Sequence, residues 1–297
     1  MKILLTGKNG QVGHELQRAL APLGALVAPE RNELDLADTE ALRRLVRALR
    51  PDVIVNAAAC TAVDKAESDR AAAFGVNAEA PRILGEEAAR LDALVLHFST
   101  DYVFSGAQDQ PYTERDLPQP GNVYGLSKLQ GERALAGACA RHLILRTSWV
   151  LGAHGSNFAK TVLRLARERV AFAIVADQYG APTSAALLAD ICADLLRHYR
   201  QAPAMAFGTY HVAAAGSTTW YDYARFVLRA AEAAGQSLKA GPDAIRAIGT
   251  DAYPTPARRP RNSRLDTTLF RSTFGLRLPP WEEGVMQVLQ QIFESEP

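Results

Sequence analysis

The stretch MKILLTGKNGQVG, residues 1–13, decides the fold by the order of its residue types. Ile3 to Thr6 read as a short strand, and Gly7, Gly10 and Gly13 follow at GxxGxxG spacing with no spacer, opening a helix near Gln11. Glycines there let the backbone turn tightly, leave N–H groups bare for a pyrophosphate and let the helix lie close to the strand. The motif alone is weak evidence. Placed at the first strand–helix turn, it makes Gly7, Gly10, Gln11, Val12 and Gly13 a candidate dinucleotide cradle.

Short apolar runs recur downstream at Ala25–Ala28, Val53–Asn56, Leu94–Phe98 and His142–Arg146, each followed by helical periodicity. This rhythm predicts α/β architecture, a Rossmann-type doubly wound parallel sheet with helices on both sides. Helices are expected over Gln11–Ala21, Asp38–Leu49, Ala72–Leu91, Val123–Gly137, Asn157–Glu168, Thr183–His198, Thr219–Ala234 and Trp281–Ile292. Residues 1–150 form the expected dinucleotide-binding domain and residues 151–297 mainly a smaller substrate-binding lobe. The boundary is soft, and later segments can return to the first domain.

The chain has 297 residues, with 33 Lys and Arg against 32 Asp and Glu, so no strong field gathers nucleic acid or anionic lipid. The N-terminal apolar run is too short for a signal peptide, and no run of about 18 apolar residues offers a membrane span. Cys60, Cys139 and Cys192 form no CxxC pair, which suits a reducing, cytoplasmic setting. The six histidines show no metal-ligand spacing.

Ala28-Pro29-Glu30-Arg31-Asn32 follows the second strand, where a carboxylate would hold an adenosine ribose or a cation its 2′-phosphate. Both signs are present, so NADPH and NADH both remain open, with Lys8 and Arg31 tilting toward tolerance of the phosphate. Asp35 and Leu36 can flank the adenine, though Asp35 reads equally as a helix cap. The small side chains Ala57, Ala58 and Ala59 allow a cofactor close to the backbone, or tight helix packing.

Tyr124 and Lys128 lie four residues apart in NVYGLSKLQGE and so share a helix face. Ser99-Thr100-Asp101 ends the fourth strand, where a hydroxyl can meet the tyrosine over a bound carbonyl. The types suit carbonyl reduction. Tyr124 gives the proton, Lys128 holds the ribose hydroxyls and lowers the phenol pKa, and Thr100 polarises the carbonyl. A solvated helix face is the plain alternative.

These residues resemble the extended short-chain dehydrogenases, and among them the dTDP-4-dehydrorhamnose reductases. The resemblance runs nearly end to end through GKNGQVG, LDLAD, NAAACTAVDKAE, Val76-Asn77, FSTDYVFSG, YGLSKLQGE, RTSWVLG, DQYGAPT and RPRNSRLD. It implies reduction of the C4 ketone of dTDP-6-deoxy-L-lyxo-4-hexulose to dTDP-L-rhamnose, with a dTDP-sugar as partner and Thr100, Tyr124 and Lys128 as catalytic residues. It also implies a substrate pocket lined by Thr100, Asp101, Tyr102, Val103 and Trp149, with Asn157 and Arg258 near it. Cys60 departs from the aromatic or histidine usual at its position. Some relatives hold Mg2+ between acidic residues at a dimer interface, which admits a homodimer here. Glu15, Asp190 and Glu283 are the possible counterparts, but three scattered carboxylates are no signature and no metal is assigned. The rival readings are another sugar-nucleotide epimerase or dehydratase, and a non-catalytic regulatory subunit like that of methionine adenosyltransferase. The lack of a second acid after Asp101 disfavours dehydration, and RTSWVLG disfavours the subunit.

Overall fold

Alternation along short strands buries both faces of one parallel sheet in the computed structural model, which describes residues 1–202 and 205–295. The first five strands are β1 (Lys2–Thr6), β2 (Ala25–Val27), β3 (Val53–Asn56), β4 (Leu94–Thr100) and β5 (His142–Thr147). Ile3, Leu5, Val53, Val55, Leu94, Leu96, Leu143 and Leu145 point to the face where α1 (Gln11–Leu20) packs through Leu16 and Leu20. Leu4, Ile54, Val95 and Ile144, one residue out of step, point to the opposite face. There they meet α2 (Thr39–Leu49), α5 (Ala80–Leu91) and α6 (Val123–Ala138) through Leu42, Val46, Ile83, Leu84 and Leu135. With both faces covered, the strands need no polar positions until their carboxyl ends. Each fully buried aliphatic side chain contributes roughly 1.5–3 kcal/mol.

The helix expected over 72–91 is three pieces. α3 (Val63–Ser68), which periodicity did not reveal, precedes α4 (Arg70–Phe74), and a π turn over Gly75–Glu79 separates α4 from α5. Pro81 has no N–H to give the Asn77 carbonyl four residues back, so a regular α-helix cannot run through this point. The widened turn buries Asn77, whose amide bonds both the N–H and the carbonyl of Cys60 and also Ser127 Oγ. Asn77 thereby fastens the loop after β3 to α6.

Beyond β5 come β6 (Val150–Leu151), α7 (Phe158–Glu168), β7 (Phe172–Val175), β8 (Tyr179–Gly180) and β9 (Thr183–Ser184). They are followed by α8 (Ala185–Gln201), β10 (Gly208–His211), β11 (Thr218–Thr219), α9 (Trp220–Ala233), β12 (Ile245–Ile248), α10 (Thr268–Phe274) and α11 (Trp281–Ser295). Thr183 is thus in a strand paired with β6, and the helix expected from it starts at Ala185, capped by Ser184. α7, α9 and α11 build a separate apolar core around Leu163, Tyr223, Val227, Trp281 and Val285. The chain does not stay in that lobe. α8 packs Leu188 and Leu195 into the first core beside α1, and β10 pairs in parallel with β5. The sheet order is β10-β5-β4-β3-β1-β2.

The chain leaves β1 toward β2 and then returns to β3 on the other side, which creates a switch point at the carboxyl ends of β1 and β3. Gly13 lets α1 start there. A Cβ on it would stand 1.9 Å from the Gly7 carbonyl oxygen, so no side chain fits. Gly13→Ala is expected to cost about 2 kcal/mol or more through overpacking and to weaken dinucleotide binding, read by urea midpoint and fluorescence titration. An unchanged midpoint with unchanged affinity would show that this contact does not position α1.

Candidate active site

At the switch point the carboxyl edge opens into a cleft of about 1010 Å3. Gly7 holds φ at +80°, and a Cβ there would stand 2.6 Å from the Ala58 backbone nitrogen, so β1 and the loop after β3 approach as only glycine allows. No side chain caps α1 at Gly10, which leaves first-turn N–H groups available to an anion. Gly10, Gln11, Val12, Arg31, Asp35, Leu36, Ala57, Ala58 and Ala59 line the cleft. The cap of α2 is Asp38; Asp35 instead accepts from Ala37 N–H in the turn before it. Lys8 pairs with Glu30 at 3.1 Å beside exposed Arg31.

Thr100, Tyr124 and Lys128 line the same cleft. β4 runs two residues past its apolar stretch, so Ser99 and Thr100 are in the strand itself. Ser99 Oγ is committed to Glu132 Oε1 at 2.5 Å. Thr100 Oγ donates to Asp101 Oδ1 at 3.0 Å and accepts from Tyr102 N–H at 3.2 Å, starting a 3-10 turn over Asp101–Val103. Asn122 caps α6 by accepting from Gly125 N–H at 2.8 Å, which aims the first turn, with Tyr124, at the cleft. One turn on, Lys128 Nζ donates to the Phe98 carbonyl at 2.7 Å and lies 3.1 Å from His97 Nε2. Glu132, a further turn on, takes both Nε and Nη2 of buried Arg146, at 2.9 and 2.6 Å.

Burial pushes the Asp101 carboxyl up to about 6, against hydrogen bonds that favour its anion. Burial raises the Tyr124 phenol well above its ordinary value, an effect that Thr100 partly reverses and the Asp101 charge adds to. Tyr102, meeting Tyr124 edge to face at 5.5 Å, is pushed up to about 12 by burial. Burial brings Lys128 down to about 8, with Glu132 opposing. Lys128 is thus turned toward Phe98 and His97, where the sequence suggested a cation tuning the phenol.

Four expected residues lie outside the cleft lining. Gly13 is under Gly7. Val103 is fully buried with Phe104, Tyr112 and Leu129, because the 3-10 turn carries it into a small core away from the opening. Asn157 caps α7 and gives its amide to Gln11 Oε1 at 3.1 Å and the Gly152 carbonyl at 2.7 Å, so it reaches the cleft only through Gln11. Arg258 is exposed, and its carbonyl takes Asn122 Nδ2. Arg259, pairing with Asp64 at 2.6 Å, is the arginine that acts on Tyr102. Trp149 lines the cleft with a left-handed φ of +46° and stacks on Trp220 at 3.5 Å. Trp220 carries no motif signal; only the fold brings it there. His97 is likewise silent in sequence, inside a run that reads as plain strand.

The open first turn of α1, the glycine approach at Gly7 and the unpaired buried hydroxyl of Thr147 on the cleft wall fit a dinucleotide-sized polar ligand. Among the described residues no group of three His, Cys, Asp or Glu side chains is placed to hold a metal. Glu15 and Asp190 share Arg18, at 3.3 and 2.8 Å, while Glu283 is exposed on α11. No helix among the described residues is long and apolar enough to cross a membrane.

A dTDP-4-dehydrorhamnose reductase from Escherichia coli K12 is 52% identical over 299 aligned positions, covering 99% of both chains. A crystal structure of such a reductase from Clostridium acetobutylicum superposes with a TM-score of 0.91 at 32% identity, covering 99% of this chain and 100% of its own. One from Bacillus anthracis in complex with NADP superposes at 0.87 and 32% identity, covering 99% and 98%. The family described as the RmlD substrate binding domain matches residues 1–293. The chain therefore belongs to the dTDP-4-dehydrorhamnose reductase family.

Proposed function

We infer that this chain is an NAD(P)H-dependent reductase that converts the C4 ketone of dTDP-6-deoxy-L-lyxo-4-hexulose to dTDP-L-rhamnose, the last step in making that sugar donor. The observation that carries this reading is the convergence of Thr100, Tyr124 and Lys128 on one cleft with the glycine cradle, in a chain 52% identical to a reductase of that name. The nicotinamide, when bound, supplies the hydride. Gly7 and Gly10 open the backbone for the diphosphate, and Lys8 and Arg31 beside Glu30 suit a 2′-phosphate, so NADPH is accepted as well as NADH. Thr100 Oγ polarises the sugar carbonyl, and Tyr124 gives its phenolic proton to that oxygen. Lys128 holds the ribose hydroxyls.

We assign the sugar nucleotide to the face shared by Asp101, Tyr102 and the Trp149–Trp220 stack, with the lobe of α7, α9 and α11 behind it. Flat aromatic surface suits a base or sugar ring, and the Asp101 carboxylate can accept a hydrogen bond from a sugar hydroxyl. The three free cysteines suit the cytoplasm, where thiols are kept reduced.

The direct test mixes purified protein with NADPH or NADH and enzymatically generated dTDP-6-deoxy-L-lyxo-4-hexulose and follows loss of reduced-nicotinamide absorbance. Oxidation with dTDP-rhamnose as product is expected. A folded protein that oxidises neither cofactor would move the reading to an epimerase or a regulatory subunit. Tyr124→Phe should lower kcat by about 10²–10⁴ while leaving cofactor affinity within about twofold, since only the proton donor is lost. Full turnover in that variant removes the assigned role.

Asp101 gives a pH test. Its carboxyl titrates at 3.8 when unperturbed and near 6 in the fold, so the folded protein favours the protonated form. The stability tied to that proton is complete below about pH 4 and lost as pH rises through 6, amounting to about 2–3 kcal/mol. Asp101→Asn should therefore gain stability over the native chain at neutral pH and none near pH 4. Equal urea midpoint differences at the two pH values would contradict it.

A further inference from the structure

Lys128 ends in a buried polar row whose proton positions can be worked out from its far end. Asn56 Oδ1 accepts from Ala58 N–H at 3.2 Å and from the Thr6 hydroxyl at 2.7 Å. The other end of that amide, Nδ2, must therefore be the group 3.0 Å from His97 Nδ1. An amide NH2 only donates, so Nδ1 offers its lone pair, and a neutral imidazole then carries its proton on Nε2. His97 is fully buried, and burial holds it well below its ordinary value, so it is neutral.

That Nε2–H faces Lys128 Nζ at 3.1 Å. An ammonium has three donors and no acceptor and would set N–H against N–H. An amine fits. It donates to the Phe98 carbonyl at 2.7 Å and gives its lone pair to His97. The other ionisable neighbours do not reverse this. Glu132, on the next turn of α6, favours the cation but is itself paired with Arg146 of β5. Asp101 lies at the end of β4, raised to about 6, and Tyr124 precedes Lys128 by one turn with its phenol protonated.

We propose that His97 is a positioning residue for Lys128, holding it on the alkaline side of neutrality as a neutral amine in the cofactor-free enzyme until cofactor binding draws it away and it takes one proton from solvent. The step converts Lys–NH2 and H+ to Lys–NH3+, with no electron moved. It rests on the reading that Lys128 meets the cofactor. Its consequence is that, on the alkaline side of neutrality, the enzyme acquires with its reductant a proton one helical turn from the phenol that will give one up. Burial bringing Lys128 to about 8 places the effect on the alkaline side of neutrality.

Proton uptake on mixing the whole enzyme with saturating NADPH, or NADH, in weak buffer with a pH indicator tests this. At about pH 9 most of one proton per bound cofactor is expected, and at about pH 6.5 little. Lys128→Met should abolish the uptake. His97→Gln, which can turn an amide oxygen to the lysine, should cut it at least about threefold and move the alkaline limb of the kcat/KM profile upward. His97→Asn keeps an acceptor for Asn56, removes the N–H and should act alike if the glutamine variant fails to fold. Cofactor binding without proton uptake, uptake that survives Lys128→Met, or uptake untouched by both His97 variants each overturns the proposal and leaves the reductase reading standing. Failure to bind either cofactor overturns both.

Discussion

Thr6 on β1, Asn56 on β3 and His97 on β4 share one register level and form a hydrogen-bonded row beneath the cleft, and the carboxyl edge of the sheet is arranged around it. In a sheet covered on both faces each buried unsatisfied donor or acceptor costs about 1–3 kcal/mol. This chain reduces that cost by pairing Thr6, Asn56 and His97 with one another across three neighbouring strands. Asn56 is the centre of it. Its carbonyl oxygen, by accepting from Ala58 N–H, bends the backbone after β3 to where Gly7 can approach. The same amide that directs His97 therefore shapes the cradle.

A second buried group fixes the helix that carries Tyr124 and Lys128. Glu132 joins α6 to Ser99 of β4 and Arg146 of β5, with Phe104 under the guanidinium at 5.1 Å. Removing one partner of so buried a pair costs about 3–5 kcal/mol, since the other charge is stranded. Tyr124 and Lys128 therefore sit on a helix that cannot slide along the sheet. Gln11 makes the matching connection to the lobe through Gly152 and Asn157, so the glycine turn and the start of the lobe are held by one side chain.

The five strands and the glycine turn were legible because short apolar runs and GxxGxxG spacing are local signals with a direct physical cause. β10 was not, since Gly-Thr-Tyr-His has neither length nor alternation and becomes a strand only by pairing with β5. The region from Val63 to Leu91 misled for another reason. Alanine-rich periodicity is blind to the missing N–H of Pro81, and the π turn that results is what places Asn77. Within the site, Thr100, Tyr124 and Lys128 were readable from residue type and spacing, while Val103, Asn157 and Arg258 were expected only through the family resemblance of the motifs they lie in or beside. Nearness along a chain does not say which way a side chain turns. A 3-10 turn sent Val103 inward, a helix cap occupied Asn157, and Arg259 took the inward place beside Tyr102.

The electrostatics also decide which form of Tyr124 the free enzyme holds. A phenol that donates in ketone reduction must hold its proton until hydride arrives, whereas alcohol oxidation needs the phenolate beforehand. Burial and the nearby Asp101 carboxyl both favour the protonated Tyr124 in the free enzyme. Lys128, the group able to stabilise a phenolate, is drawn toward Phe98 and His97. The free enzyme thus holds Tyr124 as the phenol, the form that a proton donor in ketone reduction needs.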